Sequence, residues 1–479
     1  MTVVTPRPTL SAPALAVTPA LADNLAPRTR MILTAPVAPT LLRLAAPNIA
    51  VMLVQAAMSI VDAFYLGMLG PDALAGVTLV YPMIMLMTTM SAGGLGGGIS
   101  SAVARALGRG MPEQAASLAS HALAISVAFA AVFTVGPLLG GPALYAAMGG
   151  SGAALDAAVE YSTIVFLGAA SIWLLNGLAS ILRGSGQMLV PSVVVIGGEL
   201  VHVALAPLLI FGWGVIPALG IRGAAIALAS TLALRALVLL AYVASGRSLV
   251  TPRVRGLRLQ RGVFWDILRV GLPGSLNTLL TNGNVMLLTG LVGTFGTAAL
   301  AGYGLGARLE YLLIPLVFGL GAALVTMVGT NIGAGQHERA QRVAWVGALM
   351  AIGITGCIGL VGAVAPLLWL GLFTADPDVL AAGTTYLRIV GPTYAFFGLG
   401  LSLYFASQGA GRLLWPLLGG VVRLLIAAGG GWVAIHWLGT GIEGIFAASA
   451  TAIVVFGALV ALAIRGGAWK RTPRAGAVC

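Results

Sequence analysis

The chain has 479 residues, of which 59% are hydrophobic and only 8% charged, and its formal net charge is +12. Soluble domains carry about a quarter charged residues, so this composition excludes a globular enzyme dressed for water. Two cysteines, Cys357 and Cys479, supply neither a disulfide framework nor a metal-ligand cluster.

Residues 1–38 are rich in Pro, Ala and Thr and lack an apolar core of signal-peptide length. They predict a disordered cytoplasmic tail, within which Met31 is a second candidate start. Apolar runs long enough to cross about 30 Å of hydrocarbon then recur to the end of the chain. Backbone groups in lipid must be satisfied within their own segment, so these runs predict membrane helices. The first six fall near 41–67, 74–99, 115–147, 158–181, 190–212 and 221–245. Six more fall near 266–293, 298–330, 340–373, 380–406, 415–438 and 442–466. The fold class expected is an all-α integral membrane protein of twelve spans in two pseudo-symmetric six-helix bundles.

The placement of the basic residues explains the net charge. Of 25 Lys and Arg, twenty fall on the side of the tails and of the loops after even-numbered spans. Arg222 lies opposite, and Arg235, Arg308, Arg388 and Arg423 fall within spans. This positive-inside bias puts both termini in the cytoplasm and makes the charge a topology signal, not a nucleic-acid footprint.

The polar stretch 246–262 predicts a cytoplasmic linker between an N-terminal bundle (39–245) and a C-terminal bundle (263–466), with a basic tail at 467–479. The halves resemble each other. "DALAGVTLVYP" (72–82) matches "AALAGYGLGAR" (298–308), and Pro47 meets Pro273 at the same offset of 226. "GRGMPEQA" (108–115) pairs with "GAGQHERA" (333–340), "RGSGQMLVP" (183–191) with "QGAGRLLWP" (408–416), and "GIRGAAIA" (220–227) with "GIEGIFAA" (441–448). Six spans per copy keep both halves in one orientation, a parallel repeat of the kind secondary transporters use.

These motifs resemble the MATE (multidrug and toxic compound extrusion) family over roughly residues 40–465, in its DinF-like branch. The resemblance rests on "VDAFYLGMLGPDALAGV" (61–77) and on "LRGSGQMLVP" followed by "PLLIFGWGVIPALGIRGAAIA". It implies two bundles facing each other in a V and rocking between inward-open and outward-open states. It also implies a bacterial inner-membrane efflux transporter, not an enzyme, that exports amphiphilic and mostly cationic compounds against protons or sodium. No G-x-x-x-x-G-K-[ST] phosphate loop occurs in the chain, which argues against ATP-driven pumping within it.

Three acids lie well inside spans: Asp62, Glu199 and Glu310. A carboxylate at mid-membrane costs about 2.5–3.5 kcal/mol on insertion scales and calls for a reason. Asp62 matches the family's first-span carboxylate, which binds the coupling ion or proton. Gln55, Ser59 and Tyr65 share its helix face. The DinF-like branch carries an Asn and an Asp in its fifth span where this chain has His202 and Ala206. Glu199 lies three residues before His202, so Asp62, Glu199 and His202 are the expected proton-relay cluster, with a simple Glu199–His202 hydrogen bond as the bland alternative. Seventh- and tenth-span acids of the NorM-like kind are absent, so the proton is expected as coupling ion over sodium, with no other cofactor or metal.

Met83, Met87 and Met90 form a stripe in the second span, and methionine suits surfaces that accept varied ligands. Asn176 and, in the seventh span, Asn277, Asn282 and Asn284 are further cavity candidates. Arg308 and Glu310 are too close in sequence to share a helix face and are expected to take gating or structural roles with other partners, while Arg183 and Arg412 are expected to snorkel at helix ends. The partners expected are small amphiphiles and the bilayer, with no nucleic acid, and the chain is expected to be a monomer. A lipid or lipid-linked oligosaccharide flippase of the same superfamily and a channel or scaffold are the rival readings.

Overall fold

A computed structural model describes residues 25–214, 217–252 and 259–469, and its regular structure is helical, with no strand among the described residues. A short helix α1 (Pro27–Thr34) precedes α2 (Val37–Gly67), α3 (Pro71–Gly108) and α4 (Pro112–Ala147). The bent pair α5 (Gly152–Leu167) and α6 (Ala169–Gly184), then α7 (Leu189–Phe211) and α8 (Gly220–Ala244), complete the first half. The second half comprises α9 (Arg261–Gly293), α10 (Thr297–Gly333), α11 (His337–Val364), a single turn α12 (Leu367–Leu370), α13 (Pro377–Ala410), α14 (Leu414–His436) and α15 (Gly441–Arg465).

Ten described helices are long and apolar enough to cross a membrane, and α5 with α6, bent by 46°, makes an eleventh. The 33-residue α9 stands where the seventh span is expected. Asn277, Thr278, Thr281, Asn282 and Asn284 dilute its apolar character, so length alone qualifies it.

The repeat recurs in the backbone. Gly70 and Gly296, 226 residues apart, both have φ near 100° and both end the turn that launches α3 and α10. That φ is closed to L side chains, so each copy needs glycine there. The bend between α5 and α6 at Gly168 is answered by a 3₁₀ turn at Gly391–Thr393 inside α13, at the corresponding place in the second half.

The two halves meet at the end of the molecule that holds α1 and Trp469. There α3 and α10 cross with glycine against backbone: a Cβ on Gly108 would stand 2.1 Å from the Thr330 carbonyl oxygen, and one on Gly333 would stand 2.2 Å from that of Arg105. Ser101 donates to the Gln408 carbonyl at 2.5 Å, and the buried Arg105 donates to Ser101 and, at 3.3 Å, to the Gly409 carbonyl. Leu41 of α2 is buried in the core of the second half, while Ile267 of α9, its repeat mate 226 residues on, is buried in that of the first. Each half therefore seats one turn of the other. Farther from this end, one core is built from second-half residues alone, from Leu288 to Ile453. A Cβ on Gly67, Gly283, Gly290 or Gly304 would meet open space.

The described part of the N-terminal tail, residues 25–38, differs from the expectation of disorder. Residues 1–24 and 470–479, like 253–258 of the linker, lie outside the described residues. Pro27 opens α1, whose Ile32 and Leu33 are buried, and Arg339 donates to the carbonyls of Ile32 (3.4 Å) and Ala35. The tail therefore ends where apolar side chains find a core. Trp469 is likewise buried, with its indole N–H 3.3 Å from the Ser407 hydroxyl, and Arg261 already belongs to α9.

An added Cβ on Gly329 lies 3.0 Å from the Ala104 Cβ, a small relaxation away from the usual disulfide separation of about 3.5–4.5 Å. Ala104→Cys with Gly329→Cys should cross-link the halves under mild oxidation, read as a gel-mobility shift after cutting the linker. Transport should stop on oxidation and return with reductant.

Candidate functional site

The first half brings two of the three expected acidic-site residues together and turns the third away. His202 on α7 sets Nε2 3.0 Å from Asp62 Oδ1 on α2. The imidazole is 5% accessible and the aspartate side chain 38%, so one end of the pair is wet and the other dry. On its far side His202 Nδ1 stands 3.3 Å from the Thr231 hydroxyl of α8.

The Thr231 hydroxyl also lies 2.7 Å from the Ala227 carbonyl, the back-bond usual for threonine within a helix. An imidazole nitrogen and a carboxylate oxygen 3.0 Å apart are joined by one hydrogen bond, whose proton either the ring or the acid can carry.

Glu199 does not join them. Its Oε1 accepts from Arg235 Nη1 at 2.7 Å, and the two side chains are 11% and 4% accessible. Gly198 makes room for this: a Cβ there would stand 2.2 Å from Arg235 Nε. The expected three-residue relay is therefore corrected to a pair, and the bland Glu199–His202 hydrogen bond gives way to an ion pair. Arginine is the preferred partner for a buried carboxylate because its charge persists at any physiological pH. Nε and Nη2 of Arg235 are buried without a partner among the described residues.

The third acid is also paired. Glu310 on α10 accepts from Arg423 Nη2 of α14 at 3.1 Å and from the Tyr386 hydroxyl of α13 at 3.1 Å. Arg308 instead lies over the Phe373 ring, 5.8 Å from its centroid. The two neighbours do find different partners.

The substrate candidates divide by burial. Gln55 and Asn282 are exposed, the latter back-bonded to the Thr278 carbonyl at 2.9 Å. Tyr65 is half-buried, its hydroxyl 3.5 Å from the Val203 carbonyl. Asn176 donates to the Ser91 hydroxyl at 2.8 Å, beside the π-helical turn Met90–Leu95 that bulges α3. Met83 is partly buried against the first-half core, and Met87 is wholly inside it at 0% accessibility. Met87 is therefore corrected from a ligand contact to packing: α5 covers that face of α3, and apolar burial outweighs any surface role. Arg183 is corrected as well. It donates to the Ser180 hydroxyl at 3.1 Å beside a small cavity between the halves, instead of snorkelling.

Thr231 and Tyr386 were missed because a lone hydroxyl in an apolar run carries no signal of its partner 29 or 76 residues away. Arg235 was visible as an intramembrane charge, but nothing local ties it to Glu199. Among the described residues no group of three metal-ligating side chains occurs.

Two repeated bundles, closed at one end and holding paired charges within membrane spans, define a polytopic secondary transporter. The MatE family profile matches residues 47–208 and again 273–433, starting at Pro47 and 226 residues later at Pro273. The chain belongs to the MatE family, and is a transporter and not an enzyme. It is 26% identical to the FAD transporter of Shewanella oneidensis over 82% of this chain and 87% of that one. It is 26% identical to the probable multidrug resistance protein YoeA of Bacillus subtilis, over 73% of this chain and 76% of that one. A MOP superfamily transporter from Pyrococcus furiosus, described by the reverse polarity of its binding pocket, superposes with a TM-score of 0.83 at 26% identity, covering 94% of this chain and all of that one. An outward-facing multidrug resistance MATE family transporter superposes at 0.82 with 25% identity, over 93% and 98% of the two chains.

Arg235→Met alone leaves Glu199 buried without a counter-charge and should cost about 3–5 kcal/mol of stability. Glu199→Gln together with Arg235→Met should recover most of that loss. Thermal unfolding in detergent, compared across the wild type and both variants, checks the pairing.

Proposed function

We propose that this protein is a proton-coupled multidrug exporter, in which release and uptake of the proton shared by Asp62 and His202 drive amphiphilic cations out of the cell. The single observation that carries the reading is the 3.0 Å contact between a water-accessible carboxylate and a buried imidazole. An imidazole changes charge in the pH range that cells inhabit, and a pair of this kind titrates as one site. In the deprotonated state the pair carries a net negative charge, which attracts a cationic substrate. Protonation removes that charge and releases the cargo. The ion and the drug thus compete for one cavity, and coupling follows from their differential affinity for the two conformations.

Two features favour the proton over sodium. The fifth-span acid expected of the DinF-like branch is replaced by Ala206. Each of the three intramembrane acids already has a basic partner, His202, Arg235 or Arg423, which leaves no free carboxylate to coordinate sodium. We assign the closed end, which holds α1 and Trp469, to the cytoplasmic side of a bacterial inner membrane on the placement of the basic residues, and read the protein as outward-facing and a working monomer.

A second reading concerns the polarity of the cargo. The relative named as an FAD transporter and the exposed Arg308 inside α10 favour an anionic, nucleotide-like substrate.

Proteoliposome efflux of ethidium under an imposed pH gradient tests both. Asp62→Asn should abolish gradient-driven transport, and His202→Gln should leave binding but remove the dependence on pH. Undiminished proton-driven efflux by Asp62→Asn would sink the coupling assignment, and FAD uptake without ethidium transport would select the anionic reading.

A further inference from the structure

The acid in the second half stands in a setting unlike that of Asp62. Glu310 and Arg423 are each only 14% accessible, and their pair bridges α10 and α14. Tyr386 donates to the second carboxylate oxygen at 3.1 Å. Tyr303 stacks edge-on against Tyr386 with centroids 5.3 Å apart. Tyr394 is buried with its hydroxyl towards that of Tyr386. The guanidinium lies 5.4 Å from the Phe397 ring centroid and 6.0 Å from that of Phe456, and its Nε lacks a partner among the described residues. Tyr311, next to Glu310, is exposed.

This is a cation site by chemistry: one carboxylate, a ring of phenols, and aromatic faces that attract positive charge. Its cation is supplied by the chain itself. A histidine would release a proton near neutral pH, but an arginine does not. The pair keeps its charge balance in every step of a proton cycle, and a mobile ion arriving at Glu310 finds the place taken.

We infer that Arg423 is a tethered cation that holds the position of a mobile monovalent ion on Glu310, so that the second half stays ion-independent. Arg423 is on this account a specificity-determining residue for the coupling ion. The inference rests on the reading of the chain as an ion-coupled exporter, but not on the role of Asp62.

Arg423→Gln, in full-length protein reconstituted in proteoliposomes, leaves the carboxylate in place and vacates the site. Ethidium efflux should fall at least about tenfold in choline buffer, because an unpaired buried charge remains. Sodium or guanidinium, each added as its chloride, should restore it. The wild type should ignore both ions. Glu310→Gln combined with Arg423→Gln removes the charge and the need for a cation together, and should transport without responding to either ion. Three outcomes would overturn the inference: Arg423→Gln remains inactive with both ions while the double variant works, it is fully active in choline, or the double variant still responds to sodium. Asp62→Asn in the wild-type background reads the proton site separately, so a failure of that assignment leaves the sodium result interpretable.

Discussion

A carboxylate surrounded by hydrocarbon needs a cation within reach, and the paths of the helices in this protein satisfy that need three times. Glu199 takes Arg235, Glu310 takes Arg423, and Asp62 takes His202. The first two pairs are nearly dry and join helices of one half, α7 to its neighbour α8 and α10 across to α14. They hold each half together as a body. The third pair is half open to solvent and uses a base that titrates. Burial and the choice of base therefore separate two fixed charge pairs from the one proposed to carry coupling.

Rigid halves move only if the surface between them is built to part. At the closed end the contact is small residues against backbone, with Gly108 under Thr330 and Gly333 under Arg105. At these crossings the backbones pack closely, as small-residue helix crossings in membranes do, while Arg105 and Gln408 reach across beside them. Each half also lodges one turn of the other through Leu41 and Ile267. Pro47 and Pro273 follow those turns inside α2 and α9, where each removes a backbone hydrogen bond. The exchange and the prolines repeat together, so both halves carry the same joint.

Much of this was legible in the sequence because it depends on composition and repetition. Apolar run length gave eleven of the spans outright, and the 226-residue offset that pairs Pro47 with Pro273 recurs in the backbone at Gly70 and Gly296. Asp62 and His202 were legible as intramembrane polar residues set against a family pattern. The partners were not, because a pair such as Glu199 and Arg235 is formed by the approach of two helices and leaves no trace in local spacing. The methionine stripe misled for a related reason. Met87 has the chemistry of a ligand contact, but the bundle covers its side of α3. The N-terminal tail was misjudged at its inner end, where two apolar residues, Ile32 and Leu33, are enough to dock onto a core already present.

Helix α1 lies across the seam. Ile32 reaches the space beside Gly186 in the first half, Leu25 the space beside Gly110, and Arg339 of the second half holds the helix through the Ile32 and Ala35 carbonyls. When the closed end opens, α1 has to stay with one half and let go of the other. Helix α1 is thus a lever set across the seam, so a probe joined at Pro27 would register each parting of the halves without touching the paired charges.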